Sequence, residues 1–533
     1  MKATALRTPG GWPLSAAWLI CLGVAFHCVL AFAAGLSPDE AHYALYGAHP
    51  DWSYFDHPPL VGWLQAPFAA AGGVDFLMRL VPMASWIITV RLTIRLCRRL
   101  PLERVAVAGG ASQRDGWVAL MLLLSPLLNL LGVALVPDTL LMPLVPAVML
   151  ATWNLKSSEM TLNWRRWAVL CVLLGLCGLA KYTGIFIMLG ALLSLSVFHG
   201  WRLIRMPGTW LTTCGVLAIV SPVFVWNHAH QWASFAYQSG HAAGDQAWQL
   251  RTSMRAIALQ LALYGLLLPV ALMQGLRLIR QQAREPVFQD VIDMRTTSLL
   301  FGVPVLLVFA VMAGRGSSLP HWTACGWMAL TPLAVYGGLR LGKAVCIVLA
   351  LLQSLLLVGI LALVLAGGLG SEPGAAEAGP PAVRTRSGPA NPVADLYGWE
   401  SAALHAAGLA ERRRARGLVV MNWSLASRLA WYARPMPVFV APDRQDQFQL
   451  WFGALQPGDS AVVVDWSQMP LALPTGQAGF RQCSLIESSA TIVGQKQIAH
   501  FDYWYCEDWQ SGRRIGAPRQ EQWADGSGVR RTP

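Results

Sequence analysis

Long apolar runs dominate the sequence, and they leave a 533-residue chain few folds to adopt. Inside a bilayer every backbone polar group must be paired within the protein, so a run of about 20 apolar residues predicts a spanning α-helix. Charged residues make up only 13% of the chain, whereas hydrophobic residues make up 55%. About eleven runs predict a mainly α-helical, polytopic membrane bundle; they cover residues 12–34, 76–97, 117–136, 139–154, 167–180, 184–199, 208–226, 256–276, 298–313, 322–338 and 344–367.

The net charge of +12 lies in the apolar part of the chain. Residues 371–533 contain 16 basic against 15 acidic side chains, whereas the first 370 residues contain 24 against 13. This excess collects in alternate short loops, as the positive-inside rule describes. It therefore indicates topology and argues against a nucleic-acid partner. With an odd number of spans, the N-terminus is predicted in the cytoplasm, and residues 371–533 on the outer side of the membrane.

Composition predicts three regions. Residues 1–367 are predicted to form the transmembrane domain, and the Gly-, Ala- and Pro-rich residues 368–392 a flexible linker. Short β-type runs alternate with helix-compatible stretches in residues 393–533, which predicts a small soluble α/β or α+β domain. Cys483 and Cys506 lie in this domain, and a disulfide between them is plausible if the domain is extracytoplasmic.

The first polar interruption, residues 37–63, is rich in acids and histidines and contains no Lys or Arg. Asp39 and Glu40 follow the first apolar run directly. A carboxylate at the membrane boundary can accept a proton from an attacking hydroxyl. The same residues, with Ser37 and Pro38 before them, also make a good helix start. Both interpretations hold at once, because a helix cap also fixes a carboxylate in place.

The turn Asp56-His57-Pro58-Pro59 leads into the next apolar segment. Two prolines restrict the backbone and would hold Asp56 and His57 in fixed directions; an ordinary Pro-rich helix entry is the alternative. Arg79 lies within an apolar run and requires an anionic partner such as a phosphate or a carboxylate. A structural ion pair or snorkelling is the alternative for Arg79.

Further polar residues interrupt the apolar runs on the predicted outer side. Asp138 and Lys181 each stand between two runs, and Tyr182 follows the lysine. His321 and Trp322 lie in another outer loop. Turn residues and an interfacial Trp are the alternatives. Of Asp138 and Lys181, the lysine is the more informative, because a lone Lys on the outer side breaks the topology rule and calls for an anionic ligand.

Neither a metal nor a cofactor is predicted. His228, His230 and His241 lack a matching carboxylate spacing, so scattered loop histidines are favoured over a metal site. The sequence contains no Gly-rich nucleotide loop and no Cys-x-x-Cys pair.

Taken together, the first-loop Asp-Glu, the Tyr-rich helix after it and Asp-His-Pro-Pro resemble the membrane-embedded GT-C glycosyltransferases. The similarity is greatest to the bacterial relatives of dolichyl-phosphate-mannose protein mannosyltransferases and to the lipid A aminoarabinose transferases. It continues through VPDTLL, LAKYTG, LPHW and DLYGWE, over about residues 12–400. The resemblance implies an inverting transfer of a sugar from a polyprenyl phosphate carrier, without a cofactor.

The resemblance also implies roles for individual residues. Asp39 would be the base or the acceptor-orienting carboxylate, with Glu40 supporting it. His57 stands where the aminoarabinose transferases carry a Lys, so Arg79 and Lys181 are expected to supply the charge for the donor phosphate. Asp56, Asp138, Tyr182, His321 and Trp322 complete the predicted substrate site.

The leading hypothesis is therefore a glycosyltransferase of the bacterial inner membrane that uses an undecaprenyl phosphate sugar. Its acceptor is lipid A or another envelope glycolipid, and a secreted protein, as for protein O-mannosyltransferases, is the runner-up. The predicted partners are the sugar donor, the acceptor and membrane lipids. From another class, a transporter or flippase would also carry intramembrane charges, but the chain shows no internal repeat and its charges cluster at one face.

Overall fold

The structure is a computed structural model, and it describes residues 15–99, 110–156, 163–243, 247–282, 289–316, 318–369, 391–441, 446–476 and 479–510. It divides into two compact units. The first, here called the helical unit, comprises residues 1–28, 52–61 and 79–358. The second, here called the mixed unit, comprises residues 29–51, 62–78 and 359–533.

Helices account for most of the described chain, which confirms the predicted mainly α-helical class. The first ten are α1 (Ala16–Ala33), α2 (Pro38–Ala48), α3 (Leu60–Ala70), α4 (Asp75–Met78), α5 (Leu80–Cys97), α6 (Gly110–Leu124), α7 (Pro126–Leu130), α8 (Pro137–Trp153), α9 (Trp164–Ala180) and α10 (Ile185–His199). The others are α11 (Pro207–Ala229), α12 (Ala233–Ala243), α13 (Leu250–Tyr264), α14 (Leu267–Gln282), α15 (Gln289–Ala313), α16 (Ala324–Gly338), α17 (Lys343–Leu365), α18 (Trp399–Arg413), α19 (Trp423–Tyr432) and α20 (Gln447–Phe452).

Each of the eleven predicted apolar runs contains helix, but fewer than eleven have the dimensions of a span. Among the described residues, six helical segments are long and apolar enough to cross a membrane, and a bent pair, Leu250–Tyr264 with Leu267–Gln281, makes seven at most. The count of about eleven spans stays a prediction; helices such as α8 and α16 are 17 and 15 residues long, shorter than a typical span. The chain remains a multi-pass membrane protein.

Helix α16 lies inside the helical unit. Each of its residues is buried, and it packs against α6, α8, α14 and α15. A helix that is apolar on all sides is expected to be buried on all sides. The 3₁₀ segment Pro320–Thr323 precedes this helix directly, so it lies at the N-terminal end of a buried helix.

The mixed unit contains a five-stranded sheet, as predicted for the C-terminal region. Its strands are β1 (Leu418–Val420), β2 (Val438–Val440), β3 (Ala461–Trp466), β4 (Phe480–Val493) and β5 (Lys496–Trp509). The order is β2-β1-β3-β5-β4. Strand β1 is parallel to β2 and β3, whereas β5 is antiparallel to β3 and β4.

The three short β-type runs seen in the sequence become β1, β2 and β3, and the long β4–β5 hairpin was not predicted. Buried residues of β1, β3 and β5 contribute to one hydrophobic core, with Val419, Val463 and Trp504 among them. Cys483 and Cys506 face each other across the hairpin and form a disulfide. The proposed linker, 368–392, lies almost wholly outside the described residues, so the domain boundaries stay a prediction.

Candidate functional site

A buried ion pair joins two helix ends of the helical unit. Asp138 lies in the first turn of α8, and Lys181 follows the last residue of α9. The Lys181 Nζ donates to Asp138 Oδ2 at 2.6 Å, and both side chains are buried, with 6% and 4% exposure. An acid at a helix N-terminus and a base at a C-terminus both complement the helix dipoles. Local helix structure thus fixes both charges.

His321 and Trp322 lie beside this pair. The His321 Nε2 is 3.7 Å from Asp138 Oδ2, and the Lys181 Nζ is 5.7 Å from the centre of the Trp322 ring. Burial lowers the pKa of His321, and the Asp138 carboxylate opposes that effect. The imidazole is therefore mainly neutral at neutral pH, which leaves Lys181 as the cation of the group.

His57 belongs to the same electrostatic environment. Burial lowers its pKa most; the charge of Lys181 lowers it further, whereas Asp56 and Asp138 raise it. Its Nδ1 pairs with the backbone carbonyl of Asp56. That carbonyl also accepts a hydrogen bond from Gln238 Nε2 at 2.6 Å, so the Asp56-His57 turn is held on both sides.

These contacts define what is called here the Lys181 cluster: His57, Asp138, Lys181 and His321. Tyr182, next to the lysine, shares a hydrogen bond of 2.5 Å between its hydroxyl and Ser234 Oγ. Arg79 is buried at the start of α5, with 3% exposure. The binding roles predicted for these residues stay predictions, but the structure brings the four members of the cluster together.

Asp39 and Glu40 belong to the mixed unit, on α2. The helix start predicted there is confirmed: Ser37 Oγ accepts from the Glu40 N–H at 3.4 Å, and Glu40 Oε2 accepts from the Ser37 N–H at 3.0 Å. This reciprocal capping box occupies Glu40, which is buried. Asp39, one residue earlier, is half-buried. The structure thus shows a capping role for Glu40 and leaves Asp39 as the stronger catalytic candidate.

The mixed unit also contains a fully buried arginine, Arg428, which the sequence analysis did not single out. Its Nη1 donates to Asp395 Oδ1 at 2.5 Å and to the Asp395 carbonyl at 3.1 Å. Its guanidinium carbon lies 3.6 Å from the centre of the Trp399 ring and 5.2 Å from that of Trp466. Among the described residues, Nε and Nη2 have no hydrogen-bond partner.

Burial lowers the pKa of Arg428 to about 10, and the Asp395 and Asp39 carboxylates are among the groups that oppose this shift. The field of Arg428 therefore acts on Asp39. A neighbouring cation favours the ionised form of a carboxylate. Arg428 is thus a buried cation whose charge interacts with that of the predicted catalytic acid.

The family model of dolichyl-phosphate-mannose-protein mannosyltransferases matches residues 56–226. The fold is similar to crystal structures of ArnT from Cupriavidus metallidurans. The apo state gives a TM-score of 0.56 at 16% identity over 84% of this chain and 92% of that one. The structure bound to undecaprenyl phosphate gives 0.59 at 15% identity over 91% and 97%.

The chain therefore has the fold of ArnT, a GT-C fold. These matches favour the glycosyltransferase interpretation over the transporter hypothesis. No curated protein sequence matches the chain. The matched range contains three members of the Lys181 cluster, His57, Asp138 and Lys181, whereas Asp39 and His321 lie outside it.

The described part of the chain contains no group of three or more His, Cys, Asp or Glu side chains that could hold a metal ion. His228 and His230 lie at the end of α11, where His230 Nδ1 bonds the Trp226 carbonyl. The side chain of His241 lies outside the described residues. Independence from metals and cofactors stays a prediction.

A sequence signal for Arg428 exists in hindsight. The helix WSLASRLAWY carries a single charged residue among apolar ones, and a lone charge at such a position indicates burial with a partner. Its partners, Asp395 and Trp399, belong to the DLYGWE segment that contributed to the family resemblance. The connection between the two segments is visible only in the folded unit.

Proposed function

We propose that this glycosyltransferase transfers a sugar from an undecaprenyl phosphate carrier to an acceptor at the outer face of the bacterial inner membrane. The observation that carries the proposal is the buried Lys181 among neutral histidines. A cation without aqueous screening is suited to stabilise a phosphate leaving group. The similar fold of ArnT, whose crystal structure contains bound undecaprenyl phosphate, supports the same carrier for the donor.

The chemistry requires one cation and one oriented acceptor. An acceptor oxygen attacks the anomeric carbon, the bond from that carbon to the carrier phosphate breaks, and the phosphate leaves with the electron pair. Lys181 has three N–H donors. It can keep its bond to Asp138 and direct the other two to phosphate oxygens, and the neutral His57 and His321 can add hydrogen bonds.

Asp39 is proposed to act on the acceptor. For a hydroxyl acceptor it takes the proton, and for a phosphate acceptor, which is already anionic, it orients the attacking group. Arg428 is proposed to favour the ionised form of Asp39, and a base must be ionised before it can accept a proton. Arg428 is therefore proposed as a positioning residue.

The proposed location is the inner membrane, with the N-terminus cytoplasmic and the C-terminal domain, residues 393–533, outside. Disulfides persist in oxidising compartments such as the periplasm, so the Cys483–Cys506 bond supports an outer position for the strands that carry it. A C-terminal alkaline phosphatase fusion tests this orientation. Activity is expected only for an outer C-terminus, and an inactive, fully expressed fusion would overturn it.

Lipid A or another envelope glycolipid is the preferred acceptor, and a secreted protein is the alternative. The fold match to ArnT, a lipid A aminoarabinose transferase, favours the lipid. Mass spectrometry of lipid A from cells with and without the protein tests it. A new sugar mass is expected on lipid A; an unchanged profile together with glycosylated secreted proteins would favour the alternative.

Donor binding is tested on the purified full chain with undecaprenyl phosphate as the probe. Lys181→Met is expected to weaken binding roughly 10- to 100-fold, the range for loss of a hydrogen bond to a charged group. Lys156→Met is the matched control, because Lys156 is also ion-paired, to Asp290 at 2.7 Å and to Asp293. Equal losses in both variants would contradict a specific role for Lys181.

Transfer is tested with Asp39→Asn. This variant is expected to retain undecaprenyl phosphate binding and to lose most sugar transfer to the acceptor. Unchanged transfer would remove Asp39 from the mechanism. Loss of binding as well would show that Asp39 acts on the donor.

A further inference from the structure

A second charged feature of the helical unit lies apart from the Lys181 cluster. It is an open cleft of about 570 Å³ between α1 and α5. Ala16, Ala17, Ile20 and Cys21 of α1 form an apolar wall, and α5 contributes Arg91, Ile94, Arg95 and Arg98; Asp115 of α6 completes the lining. One wall of the cleft is thus apolar and the other is basic.

The three arginines share one face of α5. Their spacing of four and three residues places them one above the other along the helix. Arg91 and Arg95 are exposed. No acidic residue other than Asp115 lines the cleft in the described part of the chain, and Asp115 is already bound by Arg98, at 2.5 Å to Nη2 and 3.3 Å to Nε. The cleft therefore has a net positive charge.

The cleft lies at the opposite end of the helix packing from the Lys181 cluster. Arg99, just beyond α5, donates to Asn154, just beyond the C-terminus of α8, at 3.2 Å. Asp138 lies in the first turn of α8, so it is about 24 Å away along that helix at 1.5 Å per residue. A ligand in the cleft is therefore not the donor phosphate held by Lys181.

The position of the arginines along the candidate membrane span indicates which class of ligand the cleft can bind. Arg91 lies six residues before the end of the candidate span Asp75–Cys97, which is about 9 Å along the helix. Exposed apolar side chains follow the lining residues along both helices: Leu22 is next to Cys21 on α1, and Ile88 is about one turn before Arg91 on α5. A cation exposed among apolar groups within a span requires an anion or access to the interface. Basic pockets between transmembrane helices bind phospholipid head groups.

We propose that the α1–α5 cleft binds the phosphate head group of an anionic phospholipid. Arg91 and Arg95 contact the phosphate, and the acyl chains lie along the apolar surface beside Leu22 and Ile88. Such a lipid stabilises the packing of α1 on α5. The site is independent of the proposed sugar transfer, because no member of the Lys181 cluster and no residue near Asp39 lines it.

The test uses the purified, delipidated full chain in detergent, with phosphatidylglycerol as the probe and phosphatidylcholine as the neutral lipid. Native mass spectrometry counts bound lipids. Arg91→Gln with Arg95→Gln is expected to weaken phosphatidylglycerol binding about 10- to 30-fold, from about 1 kcal/mol for each basic residue. The double variant Arg91→Lys with Arg95→Lys keeps the charge and is expected to keep most of the binding.

The matched control is Arg202→Gln with Arg205→Gln, two exposed arginines at similar spacing in the segment Gly200–Arg205. Equal loss in both glutamine variants, or no loss in the first, would overturn the proposal. Equal binding of phosphatidylcholine would overturn the charge argument. Binding of soluble glycerol phosphate as tight as that of the lipid would assign the cleft to a free phosphate instead.

Discussion

Lys181 and Arg428 are both buried cations, one in each unit, and their surroundings differ in kind. Lys181 donates to a carboxylate that is itself buried, at 2.6 Å. Arg428 lies against the Trp399 ring, and the side chain of its partner Asp395 is 44% exposed. The lysine is thus held by charge, whereas the arginine is held mostly by aromatic packing.

The difference follows from the hydration of the two cations. An ammonium is compact and strongly hydrated, so it can be buried only when an anion replaces its water. A guanidinium is planar and weakly hydrated, and it stacks on aromatic rings. The burial of Lys181 in the helical unit therefore depends on an intact ion pair. The burial of Arg428 in the mixed unit depends on stacking against aromatic rings.

The largest expected effect is the loss of the charge pair. Asp138→Asn leaves Lys181 buried without its carboxylate, and the free energy of unfolding is expected to fall by about 3–5 kcal/mol. Denaturant unfolding of the purified chain measures it. The double variant Asp138→Leu with Lys181→Met is expected to recover most of the stability and none of the donor binding. Recovery of both would show that the pair has a structural role alone.

The next effect is confined to the mixed unit. Replacing Cys483 and Cys506 by Ser removes a cross-link between residues 23 apart in sequence. A loop of this size is expected to contribute about 3 kcal/mol. Calorimetry should show a lower Tm, with undecaprenyl phosphate binding unchanged. A loss of donor binding would indicate that the stability of one unit depends on that of the other.

A smaller effect is expected for Arg428→Lys, which keeps the charge and removes the planar stacking on Trp399. A desolvated cation–π contact contributes about 2 kcal/mol, so the variant should lose about that much stability. If Arg428 also acts on Asp39, the pH profile of transfer should stay unshifted in this variant and shift to higher pH in the neutral variant Arg428→Met. Arg413→Lys is the control for packing, since Arg413 contacts Tyr505 at 5.3 Å and is exposed. An unshifted profile in Arg428→Met would limit Arg428 to packing.

The smallest effect concerns pH and the histidines of the Lys181 cluster. The pKa values of His57 and His321 are lowered in the folded chain, so below about pH 6.5 the unfolded chain binds more protons. Stability should therefore fall as the pH drops below that value, by at most about 1.4 kcal/mol per pH unit for each histidine. His321→Gln should reduce the slope. An unchanged slope would show that His321 does not contribute.

Much of the architecture was predictable because it depends on local pattern. Apolar length and the absence of charge predicted the helices, and Ser37-Pro38-Asp39-Glu40 predicted the start of α2. The number of spans was not predictable in this way. Helix α16 is as apolar as a spanning segment but is only 15 residues long and is buried by other helices. Hydropathy does not distinguish lipid from protein surroundings.

The sequence alone determined that this chain is a multi-pass, mainly helical membrane protein with a small α/β region. Those properties follow from composition and from spacing along the chain. Only the tertiary structure decided which charges meet. Lys181 pairs with Asp138, and the two are separated by 43 residues in sequence. Arg428 pairs with Asp395 over a separation of 33 residues. Pairing over such distances depends on helix packing, and no local pattern encodes it.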